Sequence, residues 1–304
     1  MKVRIGYGLG VRASSDAERF AAFVDALERL RFDSLWLSER ITGDCPDPIV
    51  GLAVAAGRTT KLKFGFSVLV LPGRNPMILA KELATLDRLS NGRLLPAFGL
   101  GAVDPAEHQA FQVEHQAFQV ERTERAKRFN EALPLLRRFW AGEAVDHEGE
   151  FHRYEGARVR PLPVQDPLEI WLGGIAPSEL KRVGRLGDGW LPSFCTPDDV
   201  RDGIKVINEV AAEHDRSVDP EHFGALLPYV DGPIPDIVAA GIAKRRPDVD
   251  PTDVVASGLA GLKEMIERHI EVGGSKFIVI PLAEPEDWDT HLDEVAATLM
   301  PLQN

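Results

Sequence analysis

The sequence predicts an α/β fold, a (β/α)8 TIM barrel formed by a single domain of 304 residues. Short apolar segments with the character of strands alternate with segments whose apolar residues recur at helical spacing. Two of these strands, 62–71 and 94–100, are apolar at almost every position, which is typical of parallel strands covered by helices on both faces. No low-complexity stretch divides the chain, so one barrel fits better than two domains.

The first half of the chain gives the clearest alternation of strands and helices. Capping residues at 14–16 begin the first helix, and Pro48 begins the second. Gly92 follows the third helix in the way that a glycine commonly ends one. Strands are expected at 3–7, 33–38, 62–71 and 94–100, with the first and third helices at 16–30 and 76–89.

The second half continues the alternation with two insertions, both expected at the C-terminal face of the barrel. Segment 102–121 is polar, whereas 145–165 is strand-like and bounded by prolines, which predicts a hairpin. Segment 231–256 has the least readable pattern. Strands are expected at 168–172, 189–192, 223–230 and 276–281, with helices at 122–140, 177–186, 197–214, 259–272 and 288–299.

One heptad, HQAFQVE, occurs at 108–114 and again unchanged at 115–121. Seven residues are close to two helical turns, so a second copy keeps the same side chains on the same face. The duplication either lengthens a helix over the active site or extends a surface loop. The second, neutral interpretation is favoured.

Net charge, cysteine content and the length of apolar runs indicate which partners and which location to expect for the protein. The formal net charge is −12 and no run of lysine and arginine resembles a nucleic-acid footprint, so neither nucleic acid nor an anionic membrane is an expected partner. Cys45 and Cys195 are too few for a disulfide framework and lack metal-ligand spacing, so no metal is predicted. An N-terminus rich in charge and glycine, without a transmembrane-length apolar run elsewhere, indicates a soluble cytoplasmic protein. We expect four charged side chains to lie on solvent-exposed faces of helices: Arg182, Arg185, Lys244 and Arg245.

A dinucleotide fingerprint, Gly8-x-Gly10-x-x-Ala13, follows the first strand. The true fingerprint needs a helix that begins within the glycine turn and an acidic residue about 20 positions on. Here the helix caps come after the turn, and the acid that ends strand two, Glu39, is too distant. A nicotinamide dinucleotide site is therefore disfavoured.

Four motifs stand at strand ends: KLKFGFSVLVLPGRNP at 61–76, RLSNGRLLPAFGLG at 88–101, GGIAP at 173–177 and GRLGDGW at 184–190. In this order and spacing they resemble the bacterial luciferase-like monooxygenase superfamily, whose members are TIM barrels that use FMN or the deazaflavin coenzyme F420. The resemblance extends over nearly the whole chain and is strongest in its first third.

The strands from the second to the fifth look closer to the F420-dependent oxidoreductases of that superfamily. The resemblance therefore implies coenzyme F420, with FMN as the alternative, and hydride transfer between the deazaflavin and a small organic substrate. It also implies a homodimer, which the family commonly forms through helices beside strands two and three. Two alternatives stay open: an FMN-dependent monooxygenase that consumes oxygen, and a non-catalytic flavin-binding protein.

The resemblance places cofactor contacts on strand three, at Ser67, Val68 and Val70. In the family a β-bulge lies here, often with a non-proline cis peptide, and its backbone supports the flavin or deazaflavin ring. By its residues alone the segment is a buried strand that contains one serine.

A second set of implied cofactor contacts follows strand five, at Gly173, Gly174, Ile175 and Ala176. Glycines at the start of a helix leave backbone N–H groups open to a phosphate. The alternative is an ordinary turn into a helix that has Pro177 at its first position. Together with GRLGDGW, the turn resembles the family's region for the cofactor phosphate.

Glu39 and Arg40 end strand two, on the face where a barrel places its active site. The family usually has an acid that contacts the cofactor ring, followed by a histidine that donates a proton or binds substrate. Arginine stays protonated near neutral pH and cannot easily act as an acid. Arg40 is therefore expected to bind an anionic substrate or to orient a ring carbonyl.

The loop after strand four supplies the remaining candidates. The resemblance implies that Gly101 contacts the cofactor, and that Asp104, Glu107 and His108 are candidates for proton transfer. Ordinary solvated loop charges are an equally good interpretation of these three side chains.

Overall fold

The computed structural model describes residues 1–10, 13, 16–101 and 117–304. Its strands are β1 (Arg4–Leu9), β2 (Ser34–Leu37), β3 (Lys63–Phe66), β4 (Leu69–Val70), β5 (Leu94–Leu95), β6 (Ala97–Gly99), β7 (Val145–Glu148), β8 (Arg153–Ala157), β9 (Trp171–Leu172), β10 (Gly189–Trp190), β11 (Gly224–Val230), β12 (Ala256–Ser257) and β13 (Lys276–Pro281). Its helices are α1 (Ala17–Arg29), α2 (Pro48–Arg58), α3 (Pro76–Leu89), α4 (Arg125–Trp140), α5 (Pro177–Leu186), α6 (Pro197–Glu213), α7 (Asp236–Arg245), α8 (Gly258–Glu271) and α9 (Trp288–Leu299).

Neighbouring strands of the barrel pair in parallel and form two sheets. One sheet has the order β12-β11-β13-β1-β2-β3-β5 and the other β10-β9-β6-β4. β3 and β4 are two halves of the third barrel strand, and β5 and β6 are two halves of the fourth, so the two sheets meet there. Parallel bridges from Trp190 to Phe223 and from Ser193 to Leu226 link the end of β10 to β11. The predicted (β/α)8 fold is confirmed.

Side-chain caps begin the helices where the sequence predicts them. A carboxylate oxygen of Asp16 accepts from the Arg19 backbone N–H at 2.9 Å, and one of Asp47 accepts from Val50 at 3.0 Å. Gly92 follows α3 and donates its N–H to the Asp87 carbonyl at 2.8 Å. Four predicted elements are confirmed to the residue: Pro76–Leu89, Pro177–Leu186, Lys276–Pro281 and Trp288–Leu299.

Two predicted strands are each broken in the structure. The third stops at Phe66 and resumes at Leu69, and the Ser67–Val68 peptide between the halves is cis. The fourth is interrupted at Pro96, which has no N–H to donate to a sheet. The helix expected from residue 122 begins at Arg125.

The proline-bounded insertion is an antiparallel hairpin of β7 and β8, as predicted. Segment 231–256, which the sequence left unassigned, contains α7 and reaches the first residue of the short strand β12, which pairs with β11. Ile242 is the one fully buried residue of α7, and it packs with Val254 and Val255. A helix with so little buried surface leaves a weak periodic pattern in the sequence.

Buried side chains fill two layers of the fold. Residues of β2, β6, β9 and β13 form one cluster that includes Trp36, Trp171 and Ile278. A larger cluster packs the helices against the strands. Among the helices that the structure describes, none has the length and apolar character needed to cross a membrane.

A buried ion pair joins strands at the amino end of the barrel. The Nζ atom of Lys276, whose side chain is 4% exposed, lies 2.5 Å from one oxygen of Asp33. Lys63 reaches the other oxygen at 3.1 Å. Although burial acts to raise the pKa of Asp33, the two ammonium groups lower it to about 2. The pair therefore fastens β13 to the start of β2 and to β3.

Asp33→Asn is expected to lower the free energy of unfolding by about 3 kcal/mol, because the Lys276 ammonium loses its buried counter-charge. Urea unfolding at neutral pH measures the difference. The folded state favours the ionised carboxylate of Asp33 and so lowers its pKa from 3.8 to about 2. The extra free energy of unfolding of the wild type is therefore fully present above pH 3.8 and is lost as the pH falls through about 2.

The matched control is Glu150→Gln, which breaks the exposed pair of Glu150 (58% exposed) with Lys127 (64% exposed). It should change the free energy of unfolding by less than about 1 kcal/mol. Equal stability of Asp33→Asn and the wild type at neutral pH would contradict the assigned role.

Candidate functional site

The predicted cofactor residues of strands three and five lie around one point at the carboxyl ends of the barrel strands. Val70 stands opposite Gly99 in the pairing of β4 with β6. Gly173 follows β9 and donates its N–H to the carbonyl of Phe98 at 3.1 Å. Parallel strands end on one face, so residues that are 100 positions apart in sequence become neighbours here.

At this end of the barrel, valine side chains pack closely against the backbone of glycine residues. A Cβ atom on Gly99 would lie 2.5 Å from Cγ2 of Val68, closer than side chains approach. A Cβ on Gly173 would lie 3.5 Å from Cγ1 of Val68, and one on Gly101 would lie 3.5 Å from Cγ1 of Val70. Val68 and Val70 thus form an apolar wall beside backbone that carries no side chains, a surface that fits a flat ring.

Hydroxyl groups join strand two to strand three next to this wall. The Oγ atoms of Ser38 and Ser67 are 3.1 Å apart, and Ser38 donates to the Ser67 carbonyl at 3.2 Å. The cis peptide that the family resemblance implies lies between Ser67 and Val68. The residues predicted on strand three therefore border the apolar wall, and strand two holds their backbone.

Glu39 makes two contacts within the protein. Its Oε2 accepts from the Val70 N–H at 2.7 Å, and its Oε1 pairs with Arg74. The side chain of Glu39 is 3% exposed. Burial raises the pKa of Glu39, while the Arg74 guanidinium and the Val70 N–H act against that rise. Arg74 was not among the residues predicted for the site.

Arg40, the next residue, is half-buried at the same end of strand two. Because its guanidinium stays charged, it places a cation at this face of the barrel. The three acid–base candidates after strand four, Asp104, Glu107 and His108, lie outside the described residues. Gly101 is described and borders Val70.

The glycine turn after strand five carries a cap of its own. Gly174 has a φ of +96°, which favours glycine, and its carbonyl accepts from the indole N–H of Trp190 at 2.8 Å. The Ala176 N–H donates to Oε2 of Glu179 at 3.0 Å. One of the N–H groups predicted to face a phosphate is thus bonded to a carboxylate of α5 itself. Ile175 packs against the main core.

Two buried arginines, which sequence reasoning missed as site residues, stand at this corner of the barrel. Arg182 is 6% exposed and donates from Nε to Asn130 at 2.8 Å, and its guanidinium lies over the Phe129 ring. Its interpretation as a solvated helix charge is therefore wrong. The charges of Arg185, Lys244 and Arg245 are exposed, as predicted.

Arg125 is the second buried arginine, also 6% exposed. Its Nη1 donates to the carbonyls of Leu100 and Gly101 at 3.3 Å, which ties the start of α4 to the end of strand four. A signal was present in the sequence, because Arg125 begins the RAKRFNEAL segment of α4. Helical periodicity assigned that segment to a helix but did not show that its first arginine is buried.

Electrostatics at this corner favour an anion. Burial lowers the pKa of Arg125 and Arg182, and the Glu179 carboxylate acts against that lowering in both. Among the described residues, the carboxylate that acts on both guanidinium groups is that of Glu179, and it acts through charge without a hydrogen bond to either. Two buried cations near one carboxylate leave a local positive charge in a chain whose net charge is −12. A phosphate group matches this donor set.

Comparison with known proteins now assigns the family. A family model described as luciferase-like monooxygenase matches residues 3–235. The chain belongs to this family. The sequence-based recognition of luciferase-like proteins is thereby confirmed.

Individual luciferase-like relatives carry out different reactions. An F420-dependent glucose-6-phosphate dehydrogenase of Kineococcus radiotolerans is 30% identical over 232 residues, which are 69% of this chain and 66% of that protein. Limonene 1,2-monooxygenase of Rhodococcus erythropolis is 28% identical over 220 residues, 68% of this chain and 54% of that protein. The chain therefore matches less than two thirds of the length of either relative.

A solved structure shows the same fold over the full chain. An F420-dependent secondary alcohol dehydrogenase, in complex with an F420-acetone adduct, superposes with a TM-score of 0.81 and covers 100% of both chains at 19% identity. At that identity the likeness establishes the luciferase-like barrel and no more.

Gly99→Ala is expected to lower the free energy of unfolding by about 1–3 kcal/mol, because the added methyl group overlaps Val68 and forces it to move. Gly57→Ala in α2 is the control, since a Cβ at Gly57 meets nothing within 4 Å. Alanine is the better helix former, so the control should gain up to about 1 kcal/mol. Urea unfolding of both variants decides the point, and a Gly99→Ala protein as stable as the wild type would contradict the packing described.

Proposed function

We propose that the protein is an F420-dependent oxidoreductase, which transfers hydride between the coenzyme and a small organic substrate. The observation that carries the proposal is the apolar wall of Val68 and Val70 beside Gly99 and Gly173, with buried arginines at one end. When bound, F420 supplies the hydride chemistry through C5 of its deazaflavin ring. Family membership and F420-dependent relatives support the choice of coenzyme.

In this proposal, one set of residues binds the ring of F420 and another set binds its phosphate. Val68 and Val70 provide the apolar surface for the ring, and Ser38 and Ser67 hold the backbone beneath it. The Gly173–Ala176 turn at the start of α5 and the buried guanidinium groups of Arg125 and Arg182 provide charge and donors for a phosphate. Glu179 would share this corner as the cap of α5.

Arg40 sets the substrate class that we propose. It stands where relatives usually place histidine, and it carries a permanent positive charge at the catalytic face. We therefore expect an anionic substrate, or one with a carbonyl oxygen that the guanidinium can orient. The assignment of proton transfer to Asp104, Glu107 or His108 stays part of the proposal.

The runner-up is an FMN-dependent monooxygenase on the same barrel. A relative named limonene 1,2-monooxygenase and the shared family model favour it. Apolar surface beside a phosphate corner suits either cofactor, so oxygen consumption, which the deazaflavin does not readily support, separates the two. A flavin-binding protein without turnover is the third candidate.

The proposal includes a homodimer. Exposed apolar side chains lie on the two helices that follow strands two and three, Val50 (64% exposed) and Val54 (49%) on α2 and Ile78 (60%) on α3. These side chains are the surface that we propose the second copy covers. We place the enzyme in the cytoplasm, where its two cysteines stay reduced.

Equilibrium binding of oxidised F420 and of FMN to the purified protein tests the proposal. We expect a micromolar or lower dissociation constant for F420, roughly the affinity range of a bound cofactor, and weaker binding of FMN. A clear preference for FMN would move the function to oxygenation. Binding of neither would contradict a flavin-type site altogether.

The phosphate corner has its own test. Arg182→Met should weaken F420 binding about 10- to 100-fold, because a charge-assisted hydrogen bond of about 1.5–3 kcal/mol is lost. Binding of a phosphate-free deazaflavin should not change. Arg185→Met, on the exposed face of the same helix, is the matched control. Equal losses with both ligands would show that Arg182 does not serve a phosphate.

A further inference from the structure

Glu39 and Arg74 bind the backbone of one residue, Val70, on both sides. Glu39 Oε2 accepts from the Val70 N–H at 2.7 Å, and Arg74 Nε donates to the Val70 carbonyl at 3.0 Å. Arg74 Nη2 then closes the ring by pairing with Glu39 Oε1. The donor and the acceptor of Val70 are thus both bonded to one ion pair, whose members come from the ends of strand two and strand three.

The pair lies beneath the protein surface. The side chain of Glu39 is 3% exposed and that of Arg74 is 19% exposed. The ring of Phe118 covers Arg74, with its centroid 5.6 Å from Cζ. Val120 is 6% exposed, and its Cγ2 would lie 3.0 Å from a Cβ on Gly73. Phe118 and Val120 belong to the second copy of HQAFQVE, so two residues of this copy pack against Arg74 and Gly73.

Burial makes the two charges depend on each other. Burial raises the pKa of Glu39, and Arg74 opposes that rise by favouring the carboxylate. Removing either partner alone would leave a buried charge without compensation, which costs more than removing both. The ion pair therefore behaves as one unit.

Val70 is the residue that this unit holds in place. Val70 stands opposite Gly99 in the β4–β6 pairing, and the next residue, Leu71, donates to the Gly99 carbonyl at 3.2 Å. The Val70 side chain also borders Gly101. A shift of the Val70 backbone would therefore move the apolar wall that faces the proposed ring site.

We infer that Glu39 and Arg74 are positioning residues, which act on the cofactor through the backbone of Val70 and not by touching the ring. The inference rests on the proposed function, and it differs from the expectation that the acid of strand two contacts the ring. Both carboxylate oxygens are already bonded within the protein. Phe118, a residue of the second heptad, takes part in the same arrangement by covering the Arg74 guanidinium.

A double-mutant cycle tests the inference. Glu39→Gln, Arg74→Met and the double variant are compared with the wild type for the F420 dissociation constant, the FMN dissociation constant and urea unfolding. Each single variant should weaken F420 binding about tenfold or more, and the double variant should lose less than the product of the two, because coupled residues are not additive. Arg74→Lys keeps the charge without the Nε donor and should recover part of the affinity.

Hydrogen exchange of the Val70 amide, measured without cofactor, supplies an independent readout. Exchange should be slow in the wild type, faster in Arg74→Met and fastest in Glu39→Ala. The exposed pair of Arg58 (40% exposed) and Asp25 (50%) gives the control cycle, which should alter neither the exchange of Val70 nor the affinity for F420.

The outcomes separate the two claims. Weakened F420 binding in Glu39→Gln with unchanged Val70 exchange in Glu39→Ala would show that Glu39 touches the cofactor, and would overturn the inference. Coupling in urea unfolding without coupling in F420 affinity would make the pair merely structural, which also overturns it. A wild type that binds neither F420 nor FMN would overturn the proposed function. The exchange rate of the Val70 amide would then still test whether Glu39 and Arg74 hold the Val70 backbone in place.

Discussion

Parallel pairing of the third and fourth barrel strands sets Val70 opposite Gly99, and the described part of the site is arranged around that register. The missing side chain at Gly99 lets Val68 approach its backbone, which a Cβ atom would prevent. Strand two then fixes strand three twice, through the serine hydroxyls and through the Glu39–Arg74 pair. The apolar wall is therefore defined by backbone contacts, which a rigid barrel maintains better than a loop would.

Positively charged side chains are buried at the candidate site, although the chain as a whole is negatively charged. The chain carries a net charge of −12, yet Arg125 and Arg182 are both buried, and both interact with the charge of Glu179. Burying a guanidinium is costly unless hydrogen bonds and counter-charges compensate it. Carbonyls of strand four, Asn130 and the nearby Glu179 provide part of that compensation. A phosphate would provide the rest, which connects the cost of burial to the proposed function.

Much of the fold followed from the sequence because periodicity reports burial directly. Elements with a broad apolar face, such as 76–89 and 276–281, were predicted to the residue. Segment 231–256 could not be assigned, because α7 buries Ile242 and little else. The break in strand three was implied by family resemblance, whereas apolar composition alone predicted one continuous strand through Ser67.

The site was predictable where strand ends define it and not where long-range partners do. Val68, Val70, Gly101 and Gly173 meet because strand order brings them together. The pairing of Glu39 with Arg74 spans 35 positions and has no local signal. Arg182 was missed because the sequence shows a charge on an amphipathic helix but not which neighbour covers it.

A crystal structure of the protein with oxidised F420 tests the central claim most directly. The account predicts the deazaflavin ring against Val68 and Val70, beside the backbone of Gly99 and Gly173, and the phosphate beside the guanidinium groups of Arg125 and Arg182. Glu39 should keep its contacts to Val70 and Arg74 and should not touch the ring. A ring bound away from this wall, or a phosphate that neither arginine contacts, would contradict the account.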